Sequence, residues 1–409
     1  MRTLRRYYET DRDRILSNCS ISGFMCQDGE RVAGDVIMTS IALMHDRGNG
    51  LGGGFAAYGI YPHQADKYAL HLMYDGAVDR DATEKLLAEQ FDVDEKERIP
   101  TRPHLNITDP PLFWRYFAVP KPQLVAEYVA LGRTEEDYMV DAVMRINRTI
   151  PGAFVVSSGK NMGAFKGVGF PEDIGAFFRL EEYEAYTWTA HGRFPTNTPG
   201  WWGGAHPFTL LDTTVVHNGE ISSYGINMRY LESFGYACTM RTDTEVVAYL
   251  FDLLLRKHGL PLEVACKVLA PPFWSHIEHM PEKEKELMTT LRAVYGSAEL
   301  NGPFAVIFGT KDLMVGLNDR VKLRPLVAAT KGNRVYLASE ECGIREIEPS
   351  PDTIWMPKAG EPTIGRLMLG AYDHALGKGP SKKSAGTKPT SGRVGTRPAK
   401  KEAREAIRA

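Results

Sequence analysis

The spacing of hydrophobic and polar positions switches repeatedly between the strand period and the helix period. Residues 19–25 form an apolar run that predicts a strand, and apolar residues recur at helical spacing over residues 34–45. A glycine-rich loop at residues 46–54 then leads to a second predicted strand at residues 55–61. Strands and helices mixed in this way predict an α/β or α+β fold with several sheets.

The segment from about residue 80 to residue 150 has a different character. Three stretches carry helix-like patterns, at residues 82–90, 122–131 and 134–146. Residues 105–116 between them are rich in proline and aromatic side chains. We interpret the segment as a helical insertion into the main domain.

Strand-like runs return after the insertion, bounded by glycine, proline and asparagine. They lie at residues 153–157, 186–190, 214–217, 304–308, 313–316, 321–328 and 334–339. Amphipathic stretches predict helices at residues 228–234, 244–258 and 281–295. The β-rich part of the chain therefore frames the insertion on both sides.

Both ends of the chain differ from this main domain, which we place at residues 19–376. Residues 1–18 are charged throughout and lack the apolar core of a secretory signal, so we predict a leader or propeptide. Residues 377–409 are rich in Lys, Arg, Ser, Gly and Pro, which predicts a disordered basic tail. No apolar run reaches the roughly 18 residues that a membrane span needs.

The net charge and the cysteine content of the chain argue against several classes of partner and site. The net charge of −2 does not match nucleic acid or an anionic membrane, so neither is predicted as a partner. The five cysteines include no C-x-x-C pair, which argues against a disulfide framework or a zinc site and favours the cytoplasm. His276 and His279 could share one helical face, but no third ligand is evident. No metal site is predicted.

Residues 187–245 are the densest run of polar and glycine residues and predict a functional site. The guanidinium of Arg193 is suited to a carboxylate, and Asp243 could receive an ammonium group. Together they would fit the two ends of a free amino acid, although they could also form a structural ion pair. Asn218 and Gly219 offer two adjacent N–H donors suited to an oxyanion hole, but the same pair is a strong hairpin-turn signal.

Cys19 supplies the nucleophile that this run lacks. It follows the charged leader directly, so removal of residues 1–18 would give it a free α-amino group. Such an amine titrates at roughly 7.7–8.0, and could act as the base for its own thiol. Cys26 is a rival nucleophile, and Cys19 could instead be an ordinary core cysteine.

Six motifs in order resemble the class II glutamine amidotransferases. They are CSISG at residues 19–23, ALMHDRGNGLGG at 42–53, HGRFPTNT at 191–198, AHPF at 205–208, HNGEI at 217–221 and TDTEV at 242–246. The glycine loop also satisfies G-x-G-x-x-G, but a helix precedes it and a strand follows, the reverse of a dinucleotide fingerprint. The sequences of these motifs are most similar to those of the amidotransferase domain of glutamate synthase.

The resemblance implies an α+β fold, a four-layer αββα sandwich of the N-terminal-nucleophile hydrolase type. It implies that Cys19 attacks the side-chain amide of glutamine while Asn218 and Gly219 hold the oxyanion. Three residues would bind the amino-acid end of glutamine: Arg193 and Thr196 its carboxylate, and Asp243 its ammonium. His206 would shape the pocket, and Trp201–Trp202 could line a loop above it.

The resemblance further implies that a separate synthase or methyltransferase-like subunit accepts the ammonia. No cofactor is expected in this chain, and FMN or an iron–sulfur cluster would belong to the partner. Two alternatives stay open: an N-terminal-nucleophile hydrolase of another amide, and a non-catalytic regulatory subunit with the same fold. One departure from the family pattern is Ser20, where glycine is usual beside the nucleophile.

Overall fold

The computed structural model of the protein describes residues 18–195 and 200–372. The leader up to residue 17, Thr196 and the basic tail from residue 377 lie outside these residues. The strands of the described part are β1 (Ser20–Cys26), β2 (Val32–Ala33), β3 (Gly53–Tyr58), β4 (Tyr68–Tyr74), β5 (Phe91–Arg98), β6 (Leu112–Pro120), β7 (Ala153–Ser157), β8 (Met162–Gly167), β9 (Glu184–Ala185), β10 (Thr187–Gly192), β11 (Phe208–Leu210), β12 (Thr213–Gly219), β13 (Phe304–Gly309), β14 (Leu313–Asn318), β15 (Val327–Lys331), β16 (Arg334–Ala338), β17 (Thr353–Trp355) and β18 (Thr363–Arg366).

The helices of the described part lie after the first strands, within the insertion, between β8 and β9, and after β12. They are α1 (Gly34–Ala42), α2 (Ala77–Gln90), α3 (Pro122–Ala130), α4 (Glu135–Thr149), α5 (Pro171–Phe177), α6 (Tyr224–Glu232), α7 (Asp243–Asp252), α8 (Leu262–Leu269), α9 (Trp274–Ile277), α10 (Glu282–Tyr295) and α11 (Glu341–Ile347). A π-helical turn at Leu253–Lys257 continues α7.

Two large antiparallel sheets form the centre of the fold. One has seven strands in the order β17-β15-β16-β1-β10-β3-β8, and the other has five in the order β11-β12-β13-β14-β18. Alternation along β1 explains how they meet: Ile21 and Met25 face Val216 and Ile307 of the other sheet, while Phe24 points to the opposite side. A buried, mainly aliphatic cluster therefore joins the two sheets, together with the contact between His191 and the His217 carbonyl.

Helices cover both outer faces. Ile37 and Ile41 of α1 pack with Phe24 in the core outside the seven-stranded sheet, where α5 and α11 also contact α1. On the other side α7 packs on β11 and β12, and the ring of Phe251 stacks on Phe308 with centroids 4.2 Å apart. The order helix, sheet, sheet, helix confirms the predicted four-layer α+β sandwich.

The insertion contains the predicted helices, now α2, α3 and α4, and also two strands that the sequence pattern did not predict. Strands β5 and β6 join β4 and β7 in a separate four-stranded antiparallel sheet. The residues of β5, FDVDEKER, gave no clear signal because this strand lies at an edge and is mostly solvent-exposed, so it lacks an apolar face. No helix in the described ranges is long and apolar enough to cross a membrane.

Candidate active site

Strand ends from both sheets bring the predicted residues to one place. Cys19 precedes β1, and Arg193 follows β10, whose Gly192 pairs with Ser20. Gly219 ends β12 in the facing sheet, and Asp243 opens α7. These four residues and His206 line one cavity of about 520 Å³. A larger cavity, of about 1310 Å³, lies against the insertion and contains none of them.

The thiol of Cys19 is held at the wall of the cavity. The backbone N–H of Phe194 donates to Sγ at 3.3 Å, and Nε of Arg47 donates to the Cys19 carbonyl at 3.2 Å. Burial raises the pKa of the Cys19 thiol, although the Phe194 N–H and the charge of Arg193 act in the opposite direction. The thiol therefore needs a base before it can react as a thiolate.

Asn218 and Gly219 lie at the end of a continuous strand and do not form a hairpin turn, because β12 pairs with β13 through Gly219. A side chain at Gly219 has no room, since a Cβ there would lie 2.1 Å from the Pro303 carbonyl oxygen. Asn218 is fully buried directly beside the cavity. Its Nδ2 lies 3.5 Å from Oγ of Ser339, and its Oδ1 has no hydrogen-bond partner within the described ranges.

The Arg193 side chain is only 4% exposed, and glycines make room for it. A Cβ at Gly52 would lie 2.8 Å from Cδ of Arg193, and one at Gly204 would lie 3.2 Å from its Nη1. The glycine loop that satisfies G-x-G-x-x-G therefore accommodates an arginine. A 3₁₀ turn at His45–Arg47 precedes this loop and β3 follows it, which is the wrong context for a dinucleotide site.

Asp243 is the first residue of α7, behind the N-cap residue Thr242. Its Oδ2 accepts a hydrogen bond from the Ile221 N–H at 2.9 Å, and its Oδ1 lies 3.7 Å from Nδ1 of His217. Burial alone would raise the pKa of Asp243, but His217, the Ile221 N–H and Thr244 together lower it. The helix N-terminus favours the same ionised state, so the cavity contains a fixed negative charge.

Three buried imidazoles support the floor of the cavity. His206 stacks on His191 with ring centroids 3.8 Å apart, and burial holds the pKa of His206 well below 6.5. The hydroxyl of Thr244 lies 3.2 Å from Nε2 of His206 and 3.1 Å from Nδ1 of His217. His206 therefore lines the cavity as a neutral ring, and its role in shaping a substrate pocket stays a prediction.

Other residues predicted as candidates pack away from the cavity. Trp202 fills the space above Gly167 and approaches Phe113, and Trp201 packs on Phe154. Cys26 is fully buried, and burial raises the pKa of its thiol to about 12, which makes it a poor nucleophile. Within the described ranges no group of three or more His, Cys, Asp or Glu side chains is arranged to hold a metal ion.

Comparison with known proteins identifies the family. The profile of the class II glutamine amidotransferases matches residues 140–238, which include Arg193, Asn218 and Gly219. An uncharacterized protein of Archaeoglobus fulgidus is 52% identical over 359 residues, which cover 87% of this chain and 94% of that protein. The chain belongs to the class II glutamine amidotransferases.

Two named enzymes match this amidotransferase over shorter regions. The glutamine–fructose-6-phosphate aminotransferase of Vibrio cholerae is 33% identical over 112 residues, 27% of this chain and 18% of that enzyme. The glutamate synthase (NADPH) large chain of Bacillus subtilis is 26% identical over 207 residues, 45% of this chain and 13% of that enzyme. The chain spans only a small part of each, so their complete reactions do not transfer to it.

A buried pair of ionisable residues near Arg193 and His206 gave no recognisable signal in the sequence. Nζ of Lys166, which is 3% exposed, donates to the Gly203 carbonyl at 3.0 Å, and burial lowers the pKa of Lys166 to about 7. Glu245 accepts the N–H groups of Thr239 and Met240, both at 2.9 Å, and burial raises its pKa to about 7. These contacts hold the loop that leads to His206 and the loop that leads to Asp243.

Glu245 should make stability depend on pH. Because its pKa is raised from 4.5 to about 7, the folded protein keeps a proton that the unfolded chain releases over this range. The stabilisation is complete below pH 4.5 and is lost as the pH rises through 7. Relative to Glu245→Gln, the wild type should lose on the order of 3 kcal/mol of unfolding free energy across this window.

Urea unfolding at pH 4.5, 6 and 8 measures this difference. The exposed Glu278→Gln is the matched control and should leave the pH dependence of the wild type unchanged. A Glu245→Gln variant whose unfolding free energy runs parallel to that of the wild type at all three pH values would contradict the expectation.

Proposed function

We propose that this chain is a glutaminase subunit that hydrolyses the side-chain amide of glutamine to glutamate and ammonia through Cys19. The ammonia then passes to a separate subunit of glutamate synthase-like type. The observation that carries the proposal is one cavity of about 520 Å³ lined by Cys19, Arg193, Gly219 and Asp243. A thiol, a cation, an N–H donor and a carboxylate are the groups that this reaction requires.

In the proposed reaction Sγ of Cys19 bonds to the amide carbon and the carbonyl electron pair moves to oxygen. The α-amine of Cys19, freed by removal of residues 1–18, takes the thiol proton and gives it to the leaving nitrogen. Ammonia departs as the C–N bond breaks, leaving a γ-glutamyl thioester. Water then hydrolyses the thioester to glutamate and restores the thiol. The raised pKa of the thiol supports the need for such a base.

Asn218 and Gly219 are proposed to donate to the oxyanion through Nδ2 and the backbone N–H. Such donors are effective when they are fixed before the charge develops. The complete burial of Asn218 and the lack of space for a side chain at Gly219 support this role. Both groups lie at the end of β12, opposite the start of β1.

The amino-acid end of glutamine is assigned to Arg193, Thr196 and Asp243. The Arg193 guanidinium would bind the α-carboxylate, with Thr196 as a further donor, and Asp243 would bind the α-ammonium. The lowered pKa of Asp243 supports this assignment because it keeps the carboxylate charged. This pair disfavours the first alternative, a hydrolase of other amides, because a general amide substrate has no free amino-acid end to bind.

The acceptor is proposed to be a synthase or methyltransferase-like subunit that carries any FMN or iron–sulfur cofactor, and the site of action is proposed to be the cytoplasm. The match to the glutamate synthase large chain is consistent with this choice. The second alternative, a non-catalytic subunit, requires that the α-amine of Cys19 is never exposed. A functional assay therefore separates it from the glutaminase.

We expect protein from the native host to begin at Cys19 and to release ammonia from glutamine. Cys19→Ala should lower this rate by at least about 10³-fold, because the residual rate comes only from binding and the oxyanion donors. Cys26→Ala is the matched control and should retain activity. A mature chain that begins at Met1 and releases no ammonia would refute the glutaminase reading.

Asp243→Asn should raise KM for glutamine by about 10–100-fold, because a hydrogen bond to a charged group contributes roughly 1.5–3 kcal/mol. The amide can still accept from the Ile221 N–H, so the local fold is retained. Hydrolysis of glutaramate, which is glutamine without its α-amino group, should be unaffected by the change. Equal losses for both substrates would show that Asp243 does not bind the ammonium.

Tagged protein from the native host should co-purify with a cofactor-containing synthase or methyltransferase-like subunit. With glutamine labelled by ¹⁵N in its amide, the label should appear in that partner's product even when unlabelled ammonium is in excess. Cys19→Ala should keep the partner and lose the transfer of label. Full dilution of the label by the added ammonium would contradict direct delivery.

A further inference from the structure

Ser339 lies directly behind the proposed catalytic groups and fastens the strand that begins after Cys19. It follows β16 and is only 1% exposed. Its N–H donates to the Ile21 carbonyl at 2.9 Å, and its Oγ accepts the Ile21 N–H at 3.1 Å. One residue therefore satisfies both backbone groups of Ile21, two positions after the nucleophile.

The next residue, Glu340, holds the backbone of Cys19 through Arg47. Oε1 of Glu340 accepts from Nη1 of Arg47 at 2.6 Å, and Nε of the same arginine donates to the Cys19 carbonyl at 3.2 Å. The Ser339–Glu340 segment thus holds the backbone at Cys19 and at Ile21. Such second contacts fix a reactive group in place more tightly than the strand pairing alone.

The hydroxyl of Ser339 also reaches the facing sheet. Nδ2 of Asn218 lies 3.5 Å from this Oγ. This contact turns the Nδ2 side of the buried amide toward Ser339. Oδ1 of Asn218 has no partner in the described part of the chain, so the hydroxyl is the contact that defines which way the amide points. An amide with a single long hydrogen bond is easily reoriented if that bond is lost.

We propose that Ser339 is a positioning residue that sets the Asn218 amide relative to the thiol of Cys19. It acts through Asn218 and through the backbone of Ile21, and it does not touch the substrate. The proposal rests on the proposed function, because the amide matters to the rate only if it donates to an oxyanion. The contribution is to kcat, since Arg193 and Asp243, which would bind the amino-acid end, are not among its contacts.

Ser339→Ala in the full chain, matured as in the native host, should lower kcat for glutamine hydrolysis by about 10–100-fold, below the loss for deletion of a complete oxyanion donor. KM should change by less than about twofold, because Ser339 does not contribute to the binding of glutamine in the ground state. Ser339→Thr keeps the hydroxyl and should restore most of kcat. The matched control is Ser22→Ala, which removes a buried serine hydroxyl from the other face of β1, where it contacts Ser40.

A double-mutant cycle makes the test independent of general weakening of the fold. If Ser339 acts through Asn218, Ser339→Ala should lower kcat little further in the Asn218→Ala background. Fully multiplicative losses, an unchanged kcat for Ser339→Ala, or a rise in KM at constant kcat would each overturn the proposal. A wild type without glutaminase activity would instead refute the proposed function.

Discussion

The packing of β1 against β12 across the two sheets is the constraint on which the site depends. Ile21 and Met25 meet Val216 and Ile307 in a buried apolar cluster between the two sheets, and beside it Nε2 of His191 on β10 contacts the His217 carbonyl of β12 at 2.9 Å. Interiors of this kind are packed as densely as organic crystals, so the relative position of the two strands is fixed. Cys19 lies one residue before β1 and Gly219 ends β12, so the same cluster sets the distance between the proposed nucleophile and the proposed oxyanion donors.

Two buried ionisable side chains near the cavity are hydrogen-bonded to backbone groups. Glu245 takes two N–H groups of the loop before α7, and Lys166 donates to the loop that precedes His206. Both residues have pKa values displaced toward their neutral forms, as burial requires. Burying these two ionisable side chains costs free energy. In return, they hold the loops next to Arg193 and Asp243 on either side of the cavity.

The sequence predicted the central fold well because its strands alternate or are uniformly apolar, and because the six motifs occur in order. It predicted Cys19, Arg193, His206, Gly219 and Asp243 on one cavity, and they lie there. It missed β5 because an exposed edge strand rich in charge resembles a loop. It missed β6, an interior and largely apolar strand, because its first residues belong to the segment at 105–116 that is rich in proline and aromatic side chains. It also missed Ser339, which becomes recognisable only when strand pairing brings it beside Ile21, 318 positions away.

The environment of Cys19 couples reactivity to the covalent state of the chain. While Asn18 precedes it, the nitrogen of Cys19 belongs to an amide and has no useful basicity, and burial keeps the thiol protonated. Cleavage of that one bond would create an amine that titrates at roughly 7.7–8.0 next to the thiol. Arg47 and Ser339 hold the flanking backbone at the same time, through the Cys19 carbonyl and Ile21. Under the proposed mechanism these contacts already fix the nucleophile, so cleavage would add only the base that it lacks.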